Sequence, residues 1–184
     1  MLMMRAWRPA VPILIAALIL AISAWAQQPP LSLPAKWYAV QMDEGVTVEL
    51  PGIPDHRIVN DASPRGTAFA LHSYSLEAGG NSFVVQTALY PADVDVADPR
   101  RLIQTALDER AKVLETRKWS KVDWRDIAGG TAAESIGPLA GGKALRQLVL
   151  LQGRRFVSLG FLGPATAVTG AEAERFFRSL KVKR

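Results

Sequence analysis

The sequence predicts an α+β domain in which short strands, separated by glycine-containing turns, surround two helices. One observation is the segment 153–182, where a strand pattern, a polar turn and an amphipathic helix pattern follow one another. A second is a longer helix pattern that begins at Asp98-Pro99 and extends to about Lys118. The apolar face of each helix has to be buried against a sheet, and the strand-like segments around the helices supply one.

Strands are predicted wherever apolar residues alternate between turn signals. The segment 56–65 is polar and rich in turn-forming residues, so we predict a connection and not a strand there. The predicted strands are 37–42, 46–50, 67–76, 82–90, 119–127, 131–136 and 143–151, followed by the strand of the closing segment.

The closing strand and helix carry the core that the sequence predicts. Apolar side chains alternate along the strand with a period of two, and those of the helix recur with the helical period. Thr169 and Glu172 have the spacing of a capping box, which predicts that the helix begins at Gly170. The predicted core residues are Val157, Leu159, Phe161, Phe176, Phe177 and Leu180.

Residues 1–26 have the three regions of a secretory signal peptide. Basic residues precede an apolar run over 11–22, and Ala24 and Ala26 supply the small-x-small pattern for cleavage between Ala26 and Gln27. The apolar run is shorter than the roughly 20 residues that a bilayer span needs, so we expect no stable membrane anchor after cleavage. The predicted location is therefore the periplasm or the extracellular medium.

Composition narrows the expected partners. The chain has no cysteine, which excludes disulfides and anchoring through a lipidated cysteine. Residues 27–36 contain three prolines and are predicted to be a linker before a single domain, 37–184. Loss of Arg5 and Arg8 with the signal peptide lowers the net charge from +5 to +3, which is too small for a typical nucleic-acid binder.

The sequence has two histidines, His56 and His72. Neither has a second metal ligand two, three or four residues further along the chain, which is a common spacing in zinc sites. We therefore expect each to be an ordinary surface or hydrogen-bonded histidine, and we predict no metal site and no cofactor. Asp93, Asp95 and Asp98 lack the glycine and distal glutamate of a calcium loop, so helix capping and solvation are expected for them.

Two segments imitate catalytic motifs. Residues 133–137 resemble the nucleophile elbow of an esterase around Ser135, but Pro138 follows where a helix is needed, and both histidines precede the serine. Residues 137–144 have the glycine and lysine spacing of a phosphate-binding loop, yet Ala144 replaces the hydroxyl residue that binds magnesium. We therefore predict no catalytic residues, and a serine hydrolase is the least favoured hypothesis.

A cluster of basic residues near the C-terminus is a candidate partner surface. The alternative is a solvated helix face with cations near a helix C-terminus. The residues concerned are Arg154, Arg155, Arg175, Arg178 and Lys181.

The order of these elements, together with three short motifs, resembles the PsbP-like superfamily. The motifs are Leu50-Pro51-Gly52-Ile53-Pro54, Gly153-Arg154-Arg155-Phe156 and Arg175-Phe176-Phe177-Arg178-Ser179-Leu180. This superfamily is the α/β/α sandwich shared by the photosystem II extrinsic subunit, the Ran-binding Mog family and several small bacterial envelope proteins. The resemblance covers the chain from Trp37 to Val182 and implies a mainly antiparallel sheet with the long helix and the closing helix packed on it.

Members of this superfamily are accessory or binding modules more often than enzymes. The resemblance therefore implies a non-enzymatic periplasmic accessory protein that binds or stabilises an envelope protein partner. No metal or partner residue of the photosynthetic members can be matched here, so none is carried over. The alternative is a carrier of a small apolar ligand, which is motivated by the aromatic residues Trp119, Trp124, Phe156 and Phe161.

Overall fold

A computed structural model describes residues 37–183, which form two antiparallel sheets and two helices. The larger sheet has the strand order β3-β4-β5-β9-β8-β7-β6, and the smaller has the order β1-β2-β10. A short 3-10 turn, Asp43–Gly45, joins β1 to β2. The strands are β1 Tyr38–Gln41, β2 Val46–Leu50, β3 Asp55–Ala62, β4 Ala68–Ala78, β5 Asn81–Leu89, β6 Lys121–Ile127, β7 Gly130–Leu139, β8 Lys143–Gln152, β9 Arg155–Pro164 and β10 Lys181–Val182; the helices are α1 Pro99–Ala111 and α2 Ala171–Arg178.

The central pair of strands, β5 and β9, joins the two halves of the chain. Val85 lies opposite Leu159, and both are fully buried. On this face of the large sheet, side chains from β2 and α2 complete one continuous hydrophobic cluster. The rings of Phe83 and Phe176 meet edge to face with centroids 5.4 Å apart, so α2 packs directly on the sheet.

The opposite face of the large sheet is covered by α1. Ile103 and Leu107 are buried there among residues from β4, β5, β8 and β9. As its sequence predicts, α1 begins with Asp98 as N-cap, because the Asp98 carboxylate accepts a hydrogen bond of 3.0 Å from the amide of Arg101. The predicted polar role of Asp98 is thereby confirmed.

The predicted α/β/α sandwich with a long helix is wrong, because the fold is dominated by strands. Strands account for 52% of the described residues, and the two helices together with the short 3-10 turn account for 16%. The helix predicted to reach Lys118 ends at Ala111. Beyond it, the amide of Glu115 donates to the carbonyl oxygen of Pro138 at 3.0 Å, and Arg117 adopts a positive φ of 52°. The chain therefore leaves the helix to follow strand β7, although the apolar period continues.

Two local predictions also differ from the structure. Segment 56–65 is predicted to be a polar connection, but it contains most of β3. This strand lies at the edge of the large sheet, and every one of its residues is exposed or half-buried. It therefore has no alternation of apolar and polar residues. The predicted capping box is absent, because Gly170 is the N-cap of α2 and no side chain caps that end. The first turn of α2 instead carries two acidic residues, Glu172 and Glu174, which favour a helix N-terminus electrostatically.

The predicted core residues lie where α2 meets the large sheet. Val157, Leu159, Phe161 and Phe176 have no exposed surface, and Phe177 is buried beside them. Leu180 is only partly buried at the edge of the same cluster.

No helix within residues 37–183 is long and apolar enough to cross a membrane. The predicted signal peptide, its cleavage site at Ala26 and Gln27, and the linker 27–36 all lie outside the described residues.

Candidate metal centre

Both histidines of the chain lie together with one aspartate at an end of the large sheet. Asp43, His56 and His72 each offer one ligand atom, and these atoms lie within 4.8 Å of one another. Within residues 37–183, this is the one group of three or more His, Cys, Asp or Glu side chains close enough to hold a metal ion.

Strand pairing explains how the two histidines meet. His56 on β3 lies directly opposite Tyr74 on β4, and His72, two residues before Tyr74, lies opposite Ile58. Residues two apart on a strand point to the same face, so the two imidazoles are diagonal neighbours across β3 and β4. Their rings are nearly parallel, with centroids 5.3 Å apart.

Asp43 reaches the histidines from the turn between β1 and β2. Glu44 and Gly45 adopt positive φ angles of 61° and 69°, which reverse the chain within three residues. A hydrogen bond of 2.8 Å from the amide of Met42 to the carbonyl oxygen of Val46 stabilises this reversal. The turn therefore places the Asp43 carboxylate over the face of β4 that carries His72.

The three ligand atoms form a compact triangle. Asp43 Oδ2 is 2.9 Å from His72 Nδ1 and 3.7 Å from His56 Nε2, and the two nitrogens are 3.2 Å apart. Bonds of the usual zinc–nitrogen and zinc–oxygen length, arranged tetrahedrally, place two ligand atoms about 3.3 Å apart. The triangle therefore matches one face of a tetrahedral metal site.

Hydrogen bonds alone do not account well for the short contacts among these three atoms. A hydrogen on His72 Nδ1 can point well at Asp43 Oδ2 or at His56 Nε2, but not at both. Without that hydrogen, the lone pair of His72 faces the negative carboxylate. A cation at the centre would instead accept electron pairs from all three atoms at once.

Tyr74 holds the carboxylate in place. Its hydroxyl donates to Asp43 Oδ2 and accepts a hydrogen bond of 3.1 Å from the Asp43 amide. The hydrogen bond from Tyr74 lowers the pKa of the Asp43 carboxyl, and the two nearby histidines lower it further. Burial, with the contact to Asp43, raises the pKa of Tyr74 to about 12. Tyr74 also stacks on His56, with ring centroids 4.3 Å apart, so it orients two of the three candidate ligands.

The centre is open to solvent on one side. The side chain of Asp43 is 45% exposed and that of His56 is 37% exposed, whereas His72 is only 16% exposed. Three protein ligands leave at least one coordination position of a tetrahedral or octahedral ion for water or another molecule. This open arrangement is typical of exchangeable or reactive metal sites and differs from closed structural zinc sites.

The candidate basic surface is largely engaged within the protein. Arg154 donates to backbone carbonyl oxygens of the loop 91–94, and Arg155 donates to the carbonyl oxygen of Lys183. Arg175 pairs with Glu49 at 2.7 Å and lies over the ring of Trp37. Arg178 pairs with Glu174 at 3.2 Å, while Lys181 is exposed on β10.

The other sequence motifs lie apart from this centre. The Ser135 side chain is fully buried beneath α1, and its hydroxyl has no hydrogen-bond partner that could act as a general base. Phe156 and Phe161 point to opposite faces of the large sheet, so they cannot line one apolar pocket with the tryptophans. Asp93 accepts a hydrogen bond from Ser63, and Asp95 pairs with Arg101.

Sequence reasoning missed the centre because it searched for ligands at short spacing along the chain. The three ligands come from a turn and from two paired strands, and 29 positions separate Asp43 from His72. One pattern in the sequence could have indicated a site. Residues 72–75, His-Ser-Tyr-Ser, place polar groups on both faces of a predicted strand, where a purely structural strand has one apolar face.

Comparison with known proteins gives no assignment. No family model matches the chain, and neither a curated protein nor a solved structure matches it. The resemblance to the PsbP-like superfamily therefore stays a prediction, and the sandwich that it implied is not the fold found.

Proposed function

We propose that this chain is an exported protein that binds a divalent transition-metal ion through Asp43, His56 and His72. The observation that carries the proposal is the triangle of one carboxylate oxygen and two imidazole nitrogens, with sides of 2.9, 3.2 and 3.7 Å. Imidazole ligands favour zinc, copper, nickel and iron, whereas calcium and magnesium prefer oxygen ligands alone. Export rests on the predicted signal peptide.

Titration with Zn²⁺ and with Cu²⁺ in a calorimeter tests this proposal directly. We expect one ion per chain and a metal-dependent rise in the melting temperature. A free ion concentration of 100 times Kd stabilises the folded state by about 2.7 kcal/mol. In a domain of this size, that corresponds to a rise of roughly 5 to 10 °C.

Variants of the ligands locate the ion. His56→Ala and His72→Ala should each lower the affinity by more than roughly 100-fold, because loss of a ligand exceeds loss of a supporting contact. Asp95→Asn is the matched control, since Asp95 is an exposed carboxylate remote from the centre. Zinc binding of undiminished affinity in the His56→Ala/His72→Ala double variant would rule out the proposal.

We propose a second function, binding of an envelope protein partner, at the edge of the sheet beside the centre. Strand β3 is an edge strand and carries His56. Ile53 is 88% exposed and Ile58 is 58% exposed, so two of the four exposed large hydrophobic residues in the described chain flank His56. An exposed edge with apolar side chains accepts an added strand from another protein.

Site-specific photocrosslinking tests this second function. A photoreactive residue at Ile58 should capture a defined partner in cells, whereas the same residue at Leu89, an exposed hydrophobic position on β5, should not. Equal capture at both positions, or capture at neither, would contradict binding at this edge.

A further inference from the structure

The face of the large sheet beneath α1 carries a band of polar side chains where an apolar core is expected. On the opposite face, one hydrophobic cluster runs without interruption from β2 to α2. Beneath α1, the buried hydrophobic residues fall into two separate clusters. The side chains between them come from five strands, are buried or half-buried, and are called here the polar band: Ser73, Ser75, Gln86, Ser135, Gln147 and Ser158.

Strand register makes the polar band continuous. Gln86 lies opposite both Ser73 and Ser158, so one polar row crosses β4, β5 and β9. In the next row, Gln147 lies opposite Ser135 on one side and Gly160 on the other. Directly opposed residues point to the same face, so the two rows adjoin at β9.

Gly160 leaves room for a methyl-sized group in the middle of the polar band. A Cβ atom built on Gly160 would make ordinary van der Waals contacts, at 3.8 Å from Val84 and 3.9 Å from Leu145. A methyl group could therefore occupy this point, although the sequence places none there. Glycine in a strand interior often marks a position where a ligand approaches the backbone.

A buried cation lies over the polar band. Arg110, on the inner side of α1, is only 6% exposed. Its guanidinium donates one long hydrogen bond, 3.4 Å, to Gln86 Oε1, and it forms no salt bridge with any carboxylate in residues 37–183. Burial lowers the pKa of Arg110 to about 10, which leaves it positively charged at neutral pH. Buried charges in proteins are normally paired, so this guanidinium lacks the anionic partner that such a group normally has.

Three further buried atoms of the polar band have no hydrogen-bond partner. They are a donor, Gln86 Nε2, an acceptor, Gln147 Oε1, and a hydroxyl that serves as either, Ser135 Oγ. Each belongs to a side chain that is at least 99% buried. Native proteins pair more than nine in ten such groups, so three in one band beside an unpaired cation point to a bound molecule.

We propose that the polar band binds a small carboxylate that carries a neighbouring hydroxyl or amino group. The planar guanidinium of Arg110 matches both oxygens of a carboxylate, and Gln86 Nε2 supplies a further donor. Gln147 Oε1 accepts the hydrogen of the ligand's hydroxyl or amino group. The ligand enters over β4, where Ser73 and Ser75 are only half-buried. This site lies on the opposite face of the sheet from the metal centre and does not depend on it.

Thermal unfolding in lactate, acetate, acetamide, chloride and phosphate tests the proposal. Lactate should raise the melting temperature in a saturable manner, acetate should act more weakly, and acetamide should have no effect at the same concentration. Equal effects of lactate, chloride and phosphate would overturn the carboxylate assignment. No effect of lactate, or an equal effect of acetamide, would overturn the site altogether.

Two arginine variants on α1 distinguish lactate binding at the buried Arg110 from a general effect of positive charge. Arg110→Gln should abolish the response to lactate, and Arg101→Gln, on the exposed side of α1, should retain it. Arg110→Met should melt at a higher temperature than the wild type in carboxylate-free buffer, because it removes an unpaired buried charge. A lactate response that persists in Arg110→Gln would contradict the proposal.

Nuclear magnetic resonance of the wild-type protein gives a result that needs no variant to fold. Titration with lactate should shift the side-chain amide signals of Gln86 and Gln147. The amide of Gln104, which pairs with Asp108 on the outside of α1, is the internal control and should stay in place. Shifts confined to Gln104 or to other exposed residues would place the ligand elsewhere and refute the proposal.

Discussion

Tyr74→Phe tests the hydrogen bonds that hold the Asp43 carboxylate in place in the candidate metal centre. The substitution removes the hydroxyl that donates to the Asp43 carboxylate and accepts from the Asp43 amide, while the ring that stacks on His56 remains. A hydrogen bond to a charged group contributes about 1.5 to 3 kcal/mol when shielded from water. Because Asp43 is almost half exposed, solvent screening reduces the expected loss to about 1 kcal/mol.

The loss should depend on pH in a defined direction. The pKa of Asp43 is lower in the folded protein, so its contribution is present above the unfolded value of about 3.9 and disappears as the pH falls through the folded value. The pKa of Tyr74 is raised to about 12, so its contribution is complete below about pH 10 and disappears as the pH rises through 12. The wild type and Tyr74→Phe should therefore differ most at neutral pH.

Thermal and zinc titrations measure both consequences of Tyr74→Phe. At pH 7, we expect the melting temperature to fall by roughly 2 to 4 °C and the zinc affinity to fall roughly 10- to 100-fold. Tyr90→Phe is the matched control, because Tyr90 packs against Phe69 and Phe156 on the other face of the sheet. An unchanged melting temperature with an unchanged zinc affinity would refute the supporting role of Tyr74.

Three further predictions concern the scaffold. Phe176→Ala should lower the free energy of unfolding by about 3 to 5 kcal/mol in urea, because its ring is fully buried against Phe83 and Phe177, whereas exposed Arg178→Ala should stay within about 0.5 kcal/mol of the wild type. Gly130→Ala should prevent normal folding in circular dichroism, since the new Cβ would lie 2.6 Å from the carbonyl oxygen of Leu151 and 2.9 Å from Gln152 Cα, and Gly160→Ala should fold. Arg146→Leu should cost about 1 to 3 kcal/mol in denaturant titration at neutral pH, because it removes the cation that Glu134 and Glu174 share and leaves each with one outer arginine, and a stability equal to that of the wild type would contradict that account.

The sequence predicts elements well where one face of an element is strongly apolar. Helix α2 begins within one residue of its predicted start, and α1 has its predicted Asp98 cap, because both depend on local periodicity and local hydrogen bonds. The same reasoning fails for β3, which is exposed at an edge and therefore carries no apolar period. It also overextends α1, whose end is set by a backbone contact between Glu115 and Pro138 that no local pattern encodes.

Neither candidate site could be predicted from the sequence, because the residues of each become neighbours only through strand register. His56 and His72 become neighbours only through the pairing of β3 with β4. Gln86 and Gln147 are 61 positions apart, and only the insertion of β9 between β5 and β8 brings them to adjoining rows. Periodicity assigns a residue to a face, but strand order determines which residues share it.

Strand β4 connects the two proposals and also keeps them separable. Its side chains alternate, so His72 and Tyr74 belong to the metal centre, while Ser73 and Ser75 belong to the polar band on the other face. A substitution in one site leaves the side chains of the other untouched, and the two sites share only the backbone of this strand. Zinc affinity should therefore be the same with and without lactate, within about twofold. A larger coupling, which thermodynamic linkage requires to act equally in both directions, would show that ligand binding shifts β4 itself.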